Sequence, residues 1–125
     1  MARVLIVDDT DIVRRALEVA VGRMGHAAIS TSDAMEALAM ARQHPPDLAL
    51  LDFRMPGMDG AALFQALKVA LGDRCPRILW ISATPPEEVR ARTAATGAAA
   101  GFVRKPFHLD DLIRSVDLAL ASAAP

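Results

Sequence analysis

A chain of 125 residues, 53% hydrophobic, with 14 basic against 15 acidic side chains and a formal net charge of −1, is long enough to close one core that hides roughly two-thirds of its unfolded surface. The near-neutral balance excludes an electrostatic footprint for nucleic acid or for an anionic membrane surface. No apolar stretch approaches bilayer-spanning length, Asp8 interrupts the first apolar run, and the lone Cys75 has no partner for an internal disulfide; a cytoplasmic protein is expected.

Short continuous apolar runs alternate with segments of helical period, the pattern of a βαβ chain whose parallel sheet is covered on both faces. The first strand runs from Arg3 to Asp8, and a helix follows on the spacing of Val13, Ala16, Leu17, Ala20 and Met24, stopped by Gly25. Ala27 to Thr31 reads as a weak second strand. Asp33, with Glu36 three residues on, opens a second helix carrying Met35, Leu38 and Ala41 until Pro45-Pro46 ends it. The third strand, Asp47-Leu48-Ala49-Leu50-Leu51, delivers Asp52. A third helix begins after Gly60 and buries Leu63, Phe64, Leu67 and Leu71, and the turn Gly72-Asp73-Arg74 leads to the fourth strand, Ile78-Leu79-Trp80-Ile81, which ends in Ser82. Thr84, with Pro85 and Glu87 after it, signals an N-cap for a fourth helix that reaches Thr96. Gly97 closes it before Phe102-Val103, a short fifth strand leading to Lys105-Pro106, and Leu109, Leu112, Ile113, Val116 and Leu120 stripe the last helix.

Five β/α units predict one doubly wound open sheet over residues 1–121, with 122–125 as a short tail. In such sheets ligands sit outside the carboxyl ends of the strands, at a switch in strand order. To that side the sequence brings Asp8 and Asp9, Asp52, Ser82 and Lys105, from four different strands. Singly, each reads as a turn, cap or solvated residue; together they form a set. Carboxylates converging there repel one another unless a cation joins them, and two or three carboxylates suit Mg²⁺. With the cation bound, a neighbouring carboxylate can attack phosphorus while an ammonium and a hydroxyl stabilise the transferred oxygens. Asp52 as nucleophile, Lys105 and Ser82 as phosphoryl contacts, and Asp8 with Asp9 as metal ligands fill every role.

The constellation resembles the receiver domain of bacterial response regulators, over the whole chain. The acidic pair resembles Asp8-Asp9, the phosphoacceptor Asp52 within Leu51-Asp52-Phe53-Arg54-Met55-Pro56-Gly57-Met58-Asp59-Gly60, the hydroxyl Ser82 and the lysine Lys105 before Pro106. The resemblance implies a flavodoxin-like (βα)5 sheet of strand order 2-1-3-4-5, and a phosphohistidine donor on a sensor histidine kinase or phosphotransfer protein. It implies Mg²⁺ held by Asp8, Asp9, Asp52 and the Arg54 backbone carbonyl, and a cis Lys105-Pro106 peptide. It further implies a switch in which Ser82 is drawn inward and Phe102 responds, reshaping the face made by the fourth helix, fifth strand and fifth helix. Arg54 and Thr84, two residues after the acceptor and the hydroxyl, are expected to tune the phosphoryl lifetime.

Two rivals stand beside this reading. A haloacid-dehalogenase-type phosphatase carries a second aspartate two residues after its nucleophile, where this chain has Arg54. A receiver-like interaction module that is not phosphorylated would be expected to lose some of the polar set, which is intact here. His26, His44 and His108 are read as scattered surface residues and Trp80 as core. The output is open between a downstream protein target and a fused output domain.

Overall fold

In the computed structural model, which describes residues 1–121, the chain alternates strictly between strands and helices. These are β1 (Arg3–Val7), α1 (Asp11–Arg23), β2 (Ala27–Thr31), α2 (Ala34–Gln43), β3 (Leu48–Leu51), α3 (Gly60–Leu71), β4 (Arg77–Ser82), α4 (Pro86–Thr93), β5 (Gly101–Arg104) and α5 (Leu109–Ala121). A single 3-10 turn, Gly72–Arg74, links α3 to β4. The expected tail at 122–125 lies outside the described residues. All four strand pairings are parallel and the order is β2-β1-β3-β4-β5, the expected flavodoxin-like architecture.

The sheet divides two apolar layers, because alternate residues of a strand point to opposite faces. Leu5, Val7, Ala49, Leu51, Ile78 and Trp80 pack toward α2, α3 and α4. Val4, Ile6, Leu48, Leu50, Leu79 and Ile81 pack toward α1 and α5. Burial on both faces is why β1 and β3 read as unbroken apolar runs. The strand order reverses between β1 and β3, so the crevice at their carboxyl ends is the switch point.

Several helix faces differ from the expected stripes. On α2 the buried residues are Ala34, Ala37 and Ala41, while Met35 is exposed: this helix seats small side chains against the sheet. On α1, Val21 joins Leu17 and Ala20 in the core and Ala16 is exposed. On α5 the buried set is Leu112, Val116 and Ala119, and Leu109 is exposed. Helix α4 is shorter than expected, ending at Thr93, because only Val89 and Thr93 are buried and the alanines that follow add no apolar face. Its N-cap is Pro85 rather than Thr84, whose hydroxyl is engaged elsewhere. Asp33 caps α2 as expected, accepting the Glu36 N–H at 3.0 Å. His44 and His108 are exposed, but His26 is half-buried and its Nδ1 accepts the Ala2 N–H at 3.0 Å.

Gly60 fixes how close α3 comes to the end of β3. A Cβ there would collide with the Asp52 carbonyl oxygen, the Trp80 ring and the Phe53 Cα. With no side chain in the way, the Gly60 N–H donates to the Phe53 carbonyl at 2.8 Å, and Asp59 caps the helix through the Ala62 N–H at 2.9 Å.

Candidate functional site

Strand register sets the acids side by side. Val7 pairs with Leu51 and the Asp52 N–H donates to the Val7 carbonyl at 2.9 Å, so Asp8 and Asp52 leave adjacent central strands at the same level. Each of Asp8, Asp9 and Asp52 places a carboxylate oxygen within 4.8 Å of the other two. Asp8 and Asp52 are buried and Asp9 is exposed. On the far side, Ser82 pairs with Arg104, and the Lys105 N–H donates to the Ser82 carbonyl at 2.9 Å. The Lys105–Pro106 peptide is cis. The ammonium of Lys105 lies 2.8 Å from Asp8 Oδ2 and 3.4 Å from Asp52 Oδ2.

The electrostatics record an incompletely balanced site. Burial and the neighbouring Asp8 charge raise the pKa of Asp52 from its usual 3.8 to about 6, against the lowering effect of Lys105. Burial works to lower the Lys105 pKa, but the Asp8 and Asp52 carboxylates override it and hold the ammonium above its usual value. One ammonium therefore serves two buried carboxylates with a third close by. An oxygen-only donor set with surplus negative charge is the kind that a hard divalent cation takes.

Ser82 is buried and its Oγ accepts the Thr84 N–H at 3.1 Å. Thr84 is buried too, and its Oγ1 accepts from Arg54 Nε at 3.1 Å. The same guanidinium donates through Nη2 to Glu88 Oε2 at 2.9 Å, so Arg54 bridges the β3–α3 loop to the β4–α4 loop and to the first turn of α4. A second arginine, Arg92, ties α4 to Asp59 at 3.0 Å and lies over the Phe53 ring. Phe102 is half-buried opposite Trp80 on the α4 side of the sheet. There, with Val89 and Thr93, it lines a cavity of about 510 Å³ between α4 and β5. Glu88, Arg92 and Arg14 carry no site signal in the sequence reading. Arg14 pairs with Asp11 at i,i+3 spacing and its Nη1 donates to the Asp8 carbonyl at 2.9 Å, a bond that no local sequence pattern announces.

A comparison with protein families matches residues 4–117 to the response regulator receiver domain. The chain belongs to that family. Among curated relatives, this receiver domain is 34% identical to the Fimbriae Z protein of Salmonella typhimurium over 96% of its own length and 57% of that protein. It is 31% identical to the virulence transcriptional regulatory protein PhoP of Salmonella choleraesuis, over 90% of this chain and 49% of that one. The chain thus spans about half the length of these relatives. Among solved structures, the chemotaxis protein CheY4 of Vibrio cholerae superposes with a TM-score of 0.88 at 28% identity, covering 96% of this chain and 99% of that one. The receiver domain of a Pseudomonas aeruginosa sensor histidine kinase, described with a magnesium ion coordinated in its active site cleft, shares the fold with a TM-score of 0.83 at 21% identity, over 96% and 98% of the two chains. A receiver domain is a signalling module of two-component response regulators.

Proposed function

We propose that Asp52 is the phosphoacceptor and that it receives its phosphoryl group from the phosphohistidine of a sensor histidine kinase or phosphotransfer protein. The observation that carries this reading is the meeting of Asp52 with Asp8, Asp9 and Lys105 at the switch point of the sheet. An Asp52 carboxylate oxygen attacks phosphorus, a P–O bond forms, the P–N bond to the donor imidazole breaks, and its electron pair returns to the ring nitrogen. Asp8, Asp9, Asp52 and the Arg54 carbonyl oxygen would hold Mg²⁺. When bound, it supplies Lewis-acid charge compensation for the transferred oxygens.

Lys105, already within reach of both buried carboxylates, follows the phosphoryl oxygens with its ammonium. The Ser82 hydroxyl exchanges its local bond to the Thr84 N–H for one to the phosphoryl group. Its departure from that bond frees the β4–α4 loop, and Phe102 adjusts in the cavity beneath α4, reshaping the α4–β5–α5 face. Arg54 and Thr84, bonded to each other at the rim, set the lifetime of the phosphoryl group by controlling water access.

The domain acts as a signalling phosphoacceptor rather than a turnover enzyme, and its output passes through a downstream protein target or a fused output domain. Given the formal charge of −1, the domain itself does not engage nucleic acid. No helix among the described residues is long and apolar enough to cross a membrane, and the reading places the protein in the cytoplasm.

The test is intact mass after incubation with a small acyl phosphate and Mg²⁺. One phosphoryl adduct, lost in Asp52→Asn, is expected. No adduct on the parent protein favours an interaction module that is not phosphorylated and sinks this reading.

A further inference from the structure

The turn that carries Asp8 and Asp9 is gripped from the first turns of α1. The Arg14 side chain is 19% exposed and folds back over the start of its helix. Its Nη1 donates to the Asp8 carbonyl oxygen at 2.9 Å, and its Nη2 pairs with Asp11 Oδ1. That carbonyl belongs to the Asp8–Asp9 peptide, which is a rigid plane. Holding the carbonyl fixes the rotation of the plane, and with it the direction in which Asp9 leaves the end of β1.

The two acids depend on this hold to different degrees. Asp8 is anchored at its other polar atoms as well: Oδ1 accepts the Thr10 N–H at 2.9 Å, Oδ2 accepts from Lys105 at 2.8 Å, and its N–H donates to the Thr31 carbonyl at 3.3 Å. Asp9 is exposed, and the side-chain partner of its carboxylate among the described residues is the Asp52 carboxyl, itself a member of the acidic cluster. Outside the cluster itself, its aim toward Asp8 and Asp52 rests on the backbone that Arg14 holds.

We infer that Arg14 is a positioning residue for the cation site, acting through the Asp8–Asp9 peptide to aim Asp9. This rests on the phosphoacceptor reading above. Arginine suits the task because its planar fork engages two acceptors at once, the Asp8 carbonyl and the Asp11 carboxylate, and keeps its charge at every working pH. It also binds a carbonyl rather than a carboxylate of the cluster and has its own charge paired by Asp11, so it holds the peptide without occupying an oxygen the cation needs. Lys105, bonded to Asp8 Oδ2, does occupy one.

The experiment is calorimetric titration of Mg²⁺ into the parent protein, Arg14→Ala and Arg14→Lys, with urea unfolding in EDTA measured alongside. Outer-shell partners of metal ligands typically carry about 10- to 100-fold in affinity, so Arg14→Ala is expected to raise the Mg²⁺ dissociation constant by about tenfold or more. Arg14→Lys keeps the charge but not the fork and is expected to recover part of the loss; it carries the test alone if the alanine variant fails to fold. A merely structural arginine would lower the urea midpoint and leave the Mg²⁺ constant of the folded protein unchanged, and that result overturns the inference. Failure of the parent protein to bind Mg²⁺ or to take a phosphoryl group is a different result: it removes the phosphoacceptor reading, and this inference with it.

Discussion

Replacing Asp52 by Asn should make the metal-free protein more stable at neutral pH. The unfolded carboxyl titrates near 3.8 and the folded one near 6. Between those values the folded chain keeps a proton that the unfolded chain has lost, so raising the pH weakens folding across that window, and the loss is complete a little above pH 6. The shift is about two units at about 1.4 kcal/mol each, or about 3 kcal/mol. It applies nearly in full because the Asp52 side chain is only 8% exposed. Asparagine carries no charge at any pH, so the gap between variant and parent should open from almost nothing near pH 4 to about 3 kcal/mol at pH 7, roughly 10 °C in melting temperature for a domain of this size. Urea unfolding in EDTA at several pH values reads it directly. Saturating Mg²⁺ should narrow the gap, since a ligand at about 100 times its dissociation constant stabilises the parent by about 2.7 kcal/mol. A variant no more stable than the parent at pH 7, or a gap that does not change with pH, refutes the reasoning.

Lys105→Met removes the one group that lowers the Asp52 pKa, so a carboxyl NMR titration should place Asp52 above 6; an unchanged midpoint contradicts the coupling. The same variant strips Asp8, 1% exposed at its side chain, of its ammonium, and breaking a buried pair on one side costs about 3–5 kcal/mol at neutral pH by urea unfolding. Arg54→Ala loses a guanidinium that is 72% exposed at the side chain, so stability should fall by less than about 1 kcal/mol. Amide hydrogen exchange across Pro86–Thr93 should quicken even so, and parent-like protection there would show that the bridge does not hold α4. Gly60→Ala tests the contact between α3 and the acceptor strand. Alanine normally gains about 1 kcal/mol over glycine inside a helix, but here its methyl group meets the backbone of Asp52 and Phe53, and overpacking of about 1–3 kcal/mol wins; a stabilised variant in urea would contradict that geometry.

How much of this was legible in the sequence follows from the range of the forces involved. The sheet was legible because strands buried on both faces leave unbroken apolar runs, and because register on such strands is strongly specified once their side chains must reach the correct layer. That is why Asp8 and Asp52 stand at one level, one residue beyond the Val7–Leu51 pair. The helix faces were read less well, for a reason visible on α2. Periodicity favours large side chains and so picks Met35, whereas the helix approaches the sheet through Ala34, Ala37 and Ala41, which small volume rather than hydrophobicity selects. Thr84 carries a cap-like signature, yet the Pro85-Pro86 pair shifts the start of α4, and the hydroxyl is taken by Arg54, 30 residues away in the chain. Arginine bridges of this kind leave no local trace. The guanidinium of Arg54 settles on Thr84 and Glu88 only because the sheet order sets β3 beside β4, and Arg14 finds the Asp8 carbonyl only because α1 starts directly over the end of β1. The acids, the hydroxyl and the lysine sit at strand ends and could be read in one dimension. The arginines that hold those residues, and that tie the acceptor loop to α4, depend on the finished fold, and on this argument they are where two chains with the same acids, hydroxyl and lysine would differ.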